Sequence, residues 1–228
     1  MFGLIVWLAL VSGVVFASDT PFVHAPQFAD AGSGAAKGAL VWLPGTYGGD
    51  QTGPPAPPDF VGREAAAGWD IRCFNRDRGD DPLDRGAELL VRGVLGLRDQ
   101  GYHRIIVAGH SRGAWIGLTV LAHPGLVDAV VAFSPAAHGT REERKPQAMA
   151  DWAALWAAAV NNGTRVVLVQ LTDDPYDFDP ARRLAVARER FGDNLLSIFL
   201  PSEPRGHAGV YDPAFDERFG ARISGFVD

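Results

Sequence analysis

The segment Gly109-His110-Ser111-Arg112-Gly113 sets a hydroxyl nucleophile between two glycines, directly after the apolar run Ile105-Ile106-Val107-Ala108. In a strand-turn-helix elbow of this form the serine occupies a sharp, strained turn that lifts its hydroxyl above the sheet. The flanking glycines are needed because a Cβ would collide with neighbouring backbone. Such a serine offers nucleophilic attack on an acyl carbon. A hydroxyl is a weak nucleophile near neutral pH, so it needs a general base, and histidine has the ordinary pKa suited to that task. The tetrahedral intermediate also needs preorganised backbone N–H donors.

A bare G-x-S-x-G arises often by chance, so the surrounding elements decide its meaning. From Gly38 onward, short apolar runs alternate with longer stretches of helical period, the pattern of a parallel sheet covered on both faces. Six runs read as strands: Ala39 to Leu43, Trp69 to Phe74, Arg104 to Ala108, Ala129 to Phe133, Arg165 to Leu171 and Leu195 to Leu200. Between them, Ala87, Leu90, Val94 and Leu97 recur at spacings of three and four, which predicts a crossover helix despite Gly93 and Gly96. Further helices are predicted over Gly113 to Leu121, Met149 to Val160, Ala181 to Phe191 and Pro213 to Phe219. The fold class is therefore α/β, a mostly parallel sheet of about six strands with helices on both faces. The elbow falls at a strand-to-helix junction of this pattern. Residues 18–37 are rich in Ala, Gly, Ser and Pro without periodicity and read as an irregular lead-in, with one catalytic domain over 38–228. Thr52 to Pro58 holds four prolines, a density that excludes helix interior and central strand, and reads as a surface loop.

From Ala39 to the C-terminus the chain resembles the α/β-hydrolase superfamily, on the elbow and on the order of strands around it. The resemblance implies an oxyanion loop after an earlier strand, an acid after a later one and a histidine after the last. Of six histidines, His207, in Pro204-Arg205-Gly206-His207-Ala208-Gly209, follows the last predicted strand on a small-residue loop and is the expected base. His24, His103, His110, His123 and His138 lie elsewhere in that order, and the side chain of His110 is expected to point away from the serine. The orienting acid should come from Thr172-Asp173-Asp174-Pro175-Tyr176-Asp177. Asp174 ranks first by its place past the strand, while Asp173 and Asp177 stay open as turn or cap residues or as the acid itself. The oxyanion donors implied are the N–H of Arg112 and that of Thr46 or Tyr47, in Pro44-Gly45-Thr46-Tyr47-Gly48-Gly49. This loop lacks the histidine that often opens it in the family, which leaves the choice between the two open. Asn75-Arg76-Asp77-Arg78-Gly79 matches the family's Asp-x-Arg-Gly segment only in part, and reads first as a solvated or self-paired charged loop.

The chain of 228 residues carries 21 Lys+Arg against 27 Asp+Glu, a net charge of -6 that offers no basic surface to a nucleic-acid backbone. No histidine, cysteine or carboxylate set shows metal-ligand spacing, and no cofactor is expected. Cys73, the sole cysteine, excludes an internal disulfide and reads as a small buried hydrophobe. Phe2 to Ala17 is apolar almost throughout and ends in Val15-Phe16-Ala17 before Ser18, the pattern of a cleaved signal peptide over residues 1–17. Export to the periplasm or medium follows, without stable membrane insertion after cleavage. An uncleaved anchor or a buried segment is the alternative, since no Lys or Arg precedes the run.

What the resemblance implies is a serine hydrolase that cleaves carboxylic esters through an acyl-enzyme. An amidase or thioesterase on the same residues, or a non-catalytic binding protein of the same fold, is the rival reading. Between the fourth and fifth predicted strands only Ser134 to Thr164 is available for a lid. Trp152, Leu155 and Trp156 there predict a helix docked on the body, and Thr140 to Lys145 is too charged to line a lipid groove. A small or compact ester is therefore the expected substrate.

Overall fold

A computed structural model describes residues 21–46, 56–76 and 82–228. The proposed leader, Tyr47 and most of the proline-rich loop lie outside the described residues. Seven strands form one sheet: β1 (Phe22–His24), β2 (Gly38–Leu43), β3 (Trp69–Phe74), β4 (Ile105–His110), β5 (Ala129–Phe133), β6 (Arg165–Gln170) and β7 (Leu195–Phe199). Their order is β1-β3-β2-β4-β5-β6-β7, with β1 antiparallel to β3 and every other pair parallel. Six strands match the apolar runs. The seventh corrects the reading of the lead-in as wholly irregular. Phe22 buries its ring edge-on against Phe74 at 5.8 Å, with the Phe22 ring in the space above Gly93. Three residues are too few to show a period in sequence.

Strand residues alternate between two cores, as the pleat requires. Along β4, Ile105 and Val107 pack with α2 (Leu83–Asp99), α3 (Arg112–Thr119), α4 (Lys145–Ala158) and α5 (Pro180–Phe191). Ile106 and Ala108 face the opposite core, which holds α1 (Asp59–Ala66), α6 (Pro213–Phe215) and α7 (Ala221–Val227), the last two joined by a π turn over Asp216–Gly220. Trp152 and Trp156 of α4 are fully buried, so this helix is part of the body and not a raised lid. Helix α1 has no counterpart among the predicted helices, because its buried face rests on Phe60, Val61 and the charged Glu64. No helix among the described residues is long and apolar enough to cross a membrane.

The winding reverses at β2: the chain passes from β2 to β3 on one side, and then from β3 through α2 to β4 on the other side of β2. In open α/β sheets the crevice at such a point, outside the carboxyl ends of the strands, is where ligands bind. Thr46 follows the end of β2 and Ser111 follows the end of β4, so the topology brings both to that crevice.

Candidate active site

Ser111 stands between β4 and α3 with φ 55° and ψ -121°, a conformation that non-glycine residues seldom adopt and that here is held by its surroundings. Its N–H donates to the Phe133 carbonyl at 3.0 Å, and its own carbonyl accepts from Trp115 and Ala136 at 3.0 and 3.1 Å. The glycines explain how the elbow closes. A Cβ on Gly109 would lie 2.7 Å from the Gly113 carbonyl carbon, and one on Gly113 would lie 2.2 Å from the Leu43 carbonyl oxygen. Neither clash can be relieved by turning a side chain, because both partners are backbone.

Arg112 is the first residue of α3, so its N–H stands at the positive end of the helix, beside Ser111. Opposite it, Pro44, Gly45 and Thr46 run close against the elbow: a Cβ on Gly45 would lie 3.2 Å from the Ser111 Cβ. Of the expected oxyanion donors, Arg112 and Thr46 both line the cavity above Ser111. The loop carrying Thr46 is held from beneath by a residue read in sequence as part of a solvated charged loop. Arg76 is 3% exposed, and its Nη2 donates to the Pro44 and Gly45 carbonyls at 3.3 and 3.2 Å. The partial match to Asp-x-Arg-Gly was the available signal for this residue, and its charged neighbours obscured it.

The loops after β6 and β7 carry the residues expected as acid and base. His207 Nδ1 lies 2.9 Å from both Oδ1 and Oδ2 of Asp174, whose side chain is 1% exposed and whose Oδ1 also accepts from the Tyr176 N–H at 2.9 Å. The two loops are stitched together, since Gly206 N–H donates to the Thr172 carbonyl at 2.7 Å and Thr172 Oγ1 to the Pro201 carbonyl at 2.7 Å. The neighbouring acids have other partners. Asp177 is buried against Arg183 and accepts from Gln170 Nε2 at 2.8 Å, while the exposed Asp173 pairs with Arg205. Arg183 in turn lies 3.9 Å over the Trp152 ring and donates to the Pro135 carbonyl at 2.8 Å, which ties the acid loop to the end of β5.

Ser111 and His207 line one cavity of about 510 Å³, together with Gly45, Thr46, Arg112, Tyr176 and Tyr211. Tyr176 covers His207, ring to ring at 4.3 Å. No hydrogen bond joins Ser111 Oγ to His207 among the described residues; such contacts are often long before the reactants bind and tighten in the Michaelis complex. His138 forms a second histidine-carboxylate pair, with Asp151 at 2.7 Å, but it packs on Trp115 outside the serine cavity. Burial pushes the imidazolium of His110 down to about 4, opposed in part by its hydrogen bond to the His207 backbone.

No protein-family model matches the chain, and no curated protein matches it. Solved structures do. An esterase of Pyrococcus furiosus superposes with a TM-score of 0.61 at 15% identity, over 84% of this chain and 80% of that one. An esterase of Thermogutta terrifontis, solved phosphoramylated by tabun, gives 0.62 at 18% identity over 88% and 86%. A truncated carbohydrate esterase from gut microbiota gives 0.62 at 11% identity over 85% and 87%. The chain has the α/β-hydrolase fold, with Ser111, Asp174 and His207 on loops that follow the carboxyl ends of β4, β6 and β7.

Proposed function

We propose that this protein is a serine hydrolase that cleaves carboxylic esters of small or compact substrates. One observation carries the reading: a buried Asp174 carboxylate against His207 Nδ1, with that imidazole and the strained Ser111 on one cavity. That three superposed proteins are named esterases supports it without fixing the substrate.

In this reading Ser111 Oγ attacks the carbonyl carbon as His207 Nε2 takes the hydroxyl proton. Asp174 accepts from Nδ1–H, which fixes the tautomer and stabilises the imidazolium. The oxyanion is held by the Arg112 N–H and a donor from the Thr46 loop, at the positive end of α3. The intermediate collapses with cleavage of the bond to the leaving alcohol, which receives the proton from His207. Water then attacks the acyl-enzyme, losing a proton to His207, and the acid departs as Ser111 recovers its hydrogen.

The stretch between β5 and β6 supports a compact substrate. There α4 is buried through Trp152 and Trp156, and Arg141 to Arg144 are exposed, which leaves no apolar cover for a long acyl chain among the described residues. A series of p-nitrophenyl esters from acetate to palmitate, with matched anilides and thioesters, tests this. The expected result is the highest kcat/KM on acetyl or butyryl esters. Higher values on emulsified long-chain esters would overturn the size argument, and higher values on anilides or thioesters would move the bond specificity.

A further inference from the structure

We propose that His110 is a positioning residue for the base: its Nε2–H, donated to the main-chain carbonyl of His207, fixes the loop that carries the imidazole to Ser111. The proposal rests on the triad reading above. His110 Nε2 lies 2.8 Å from the His207 carbonyl oxygen, and the side chain is buried. A carbonyl only accepts, so Nε2 must carry the hydrogen. Burial keeps the ring neutral at physiological pH, which assigns its one N–H to this bond.

The ring sits where three parts of the site meet. It packs on the His207 ring at 4.8 Å and meets the Tyr211 ring edge-on at 5.1 Å. Its Nδ1 lies 3.2 Å from where a Cβ on Gly45 would stand, so the same ring backs the oxyanion loop. Residues 200–208, between β7 and the 3-10 turn at Gly209, have no regular structure to stiffen them. The stitch from Gly206 to Thr172 holds this loop from the acid side. The bond from His110 holds it from the nucleophile side and acts on the backbone of His207 itself. Because His110 adjoins Ser111 in the chain, this bond ties the base to the nucleophile independently of Asp174. A displacement of about 1 Å between reacting groups costs on the order of 100-fold in rate, so such a tie bears on turnover.

The test separates a hydrogen-bond donor from a space-filling ring. His110→Gln carries an amide N–H close to the place of Nε2, whereas His110→Leu keeps much of the volume and has no donor. In His110→Leu, kcat on a short ester is expected to fall about 10- to 100-fold with KM within about threefold of wild type. His110→Gln is expected to recover to within about fivefold. A second readout needs no turnover: the low-field proton resonance of His207 Nδ1–H, held by Asp174, should persist in His110→Gln and broaden or vanish in His110→Leu. Were wild type inactive on every ester, the proposed function would fail while this resonance still judged the positioning role. Should His110→Leu not fold by thermal melting, His110→Asn, whose amide stops short of the carbonyl, takes its place with the same expectation. Wild-type kcat and a sharp resonance in the donorless variant would overturn the proposal. So would equal damage in His110→Gln and His110→Leu when both melt like wild type.

Discussion

Three aspartates within five residues of the acid loop allow catalysis and stability to be separated by single substitutions. Asp174→Asn keeps the shape of the side chain but can turn an amide N–H toward His207 Nδ1, now 2.9 Å from both carboxylate oxygens. The imidazole would then carry its proton on Nε2, facing the serine, and could not accept from it. The same change in a serine-histidine-aspartate triad costs about 10⁴ in kcat. That is about 5.4 kcal/mol of barrier at 1.36 kcal/mol per decade. Asp177→Asn acts differently, because Asp177 neutralises Arg183, which is 4% exposed. Leaving a buried charge unpaired costs about 3–5 kcal/mol of stability, or roughly 6–20 °C in Tm for a domain of this size, with a much smaller loss of kcat. Asp173→Asn removes an exposed pair with Arg205 and should change either quantity little. Measuring kcat/KM on p-nitrophenyl acetate beside thermal melts for all three variants gives the pattern directly. A larger loss of kcat in Asp177→Asn than in Asp174→Asn, with Tm unchanged, would refute the assignment of the acid.

Two further predictions concern buried charge away from the triad. Arg76→Met removes the donors to the Pro44 and Gly45 carbonyls, and kcat should drop roughly 10- to 100-fold with KM little changed; full kcat would show that this loop keeps its geometry without Arg76. Glu64 of α1 is fully buried and accepts from Ser224 of α7, while its Oε2 has no hydrogen-bond partner among the described residues. Burial pushes its carboxyl above the ordinary 4.5, so its favourable contribution is complete below that pH and is lost as pH rises through the higher folded-state value. Glu64→Gln does not titrate and should therefore melt above wild type at pH 8, by about 1–3 kcal/mol of stability, with a smaller gap at pH 4. A gap that does not change with pH would contradict the account of Glu64.

The parts of this molecule legible in its sequence are those set by local physics. Six strands showed as apolar runs because strands buried on both faces of a parallel sheet need apolar residues throughout. The elbow showed because close backbone approach at Gly109 and Gly113 admits no other residue. What stayed hidden depends on partners distant in the chain. Phe22 makes β1 a strand only because Phe74 and the space at Gly93 receive its ring. Asp174 and Asp177 look alike in sequence, and what distinguishes them is that one faces His207, 33 residues on, and the other Arg183. Arg76 sits in a run of charges, and the carbonyls it holds lie 31 and 32 residues before it. For His110, the motif placed the residue beside the serine, but the expectation that its side chain points away missed that its ring packs on His207 and lines the serine cavity, a contact with a residue 97 positions on.

Covalent labelling with a fluorophosphonate, read by intact mass and peptide mapping, decides whether Ser111 is the nucleophile. One adduct per chain is expected, on the peptide containing Ser111, and none in a Ser111→Ala variant that melts like wild type. An adduct on another residue, or labelling that persists in Ser111→Ala, would contradict it.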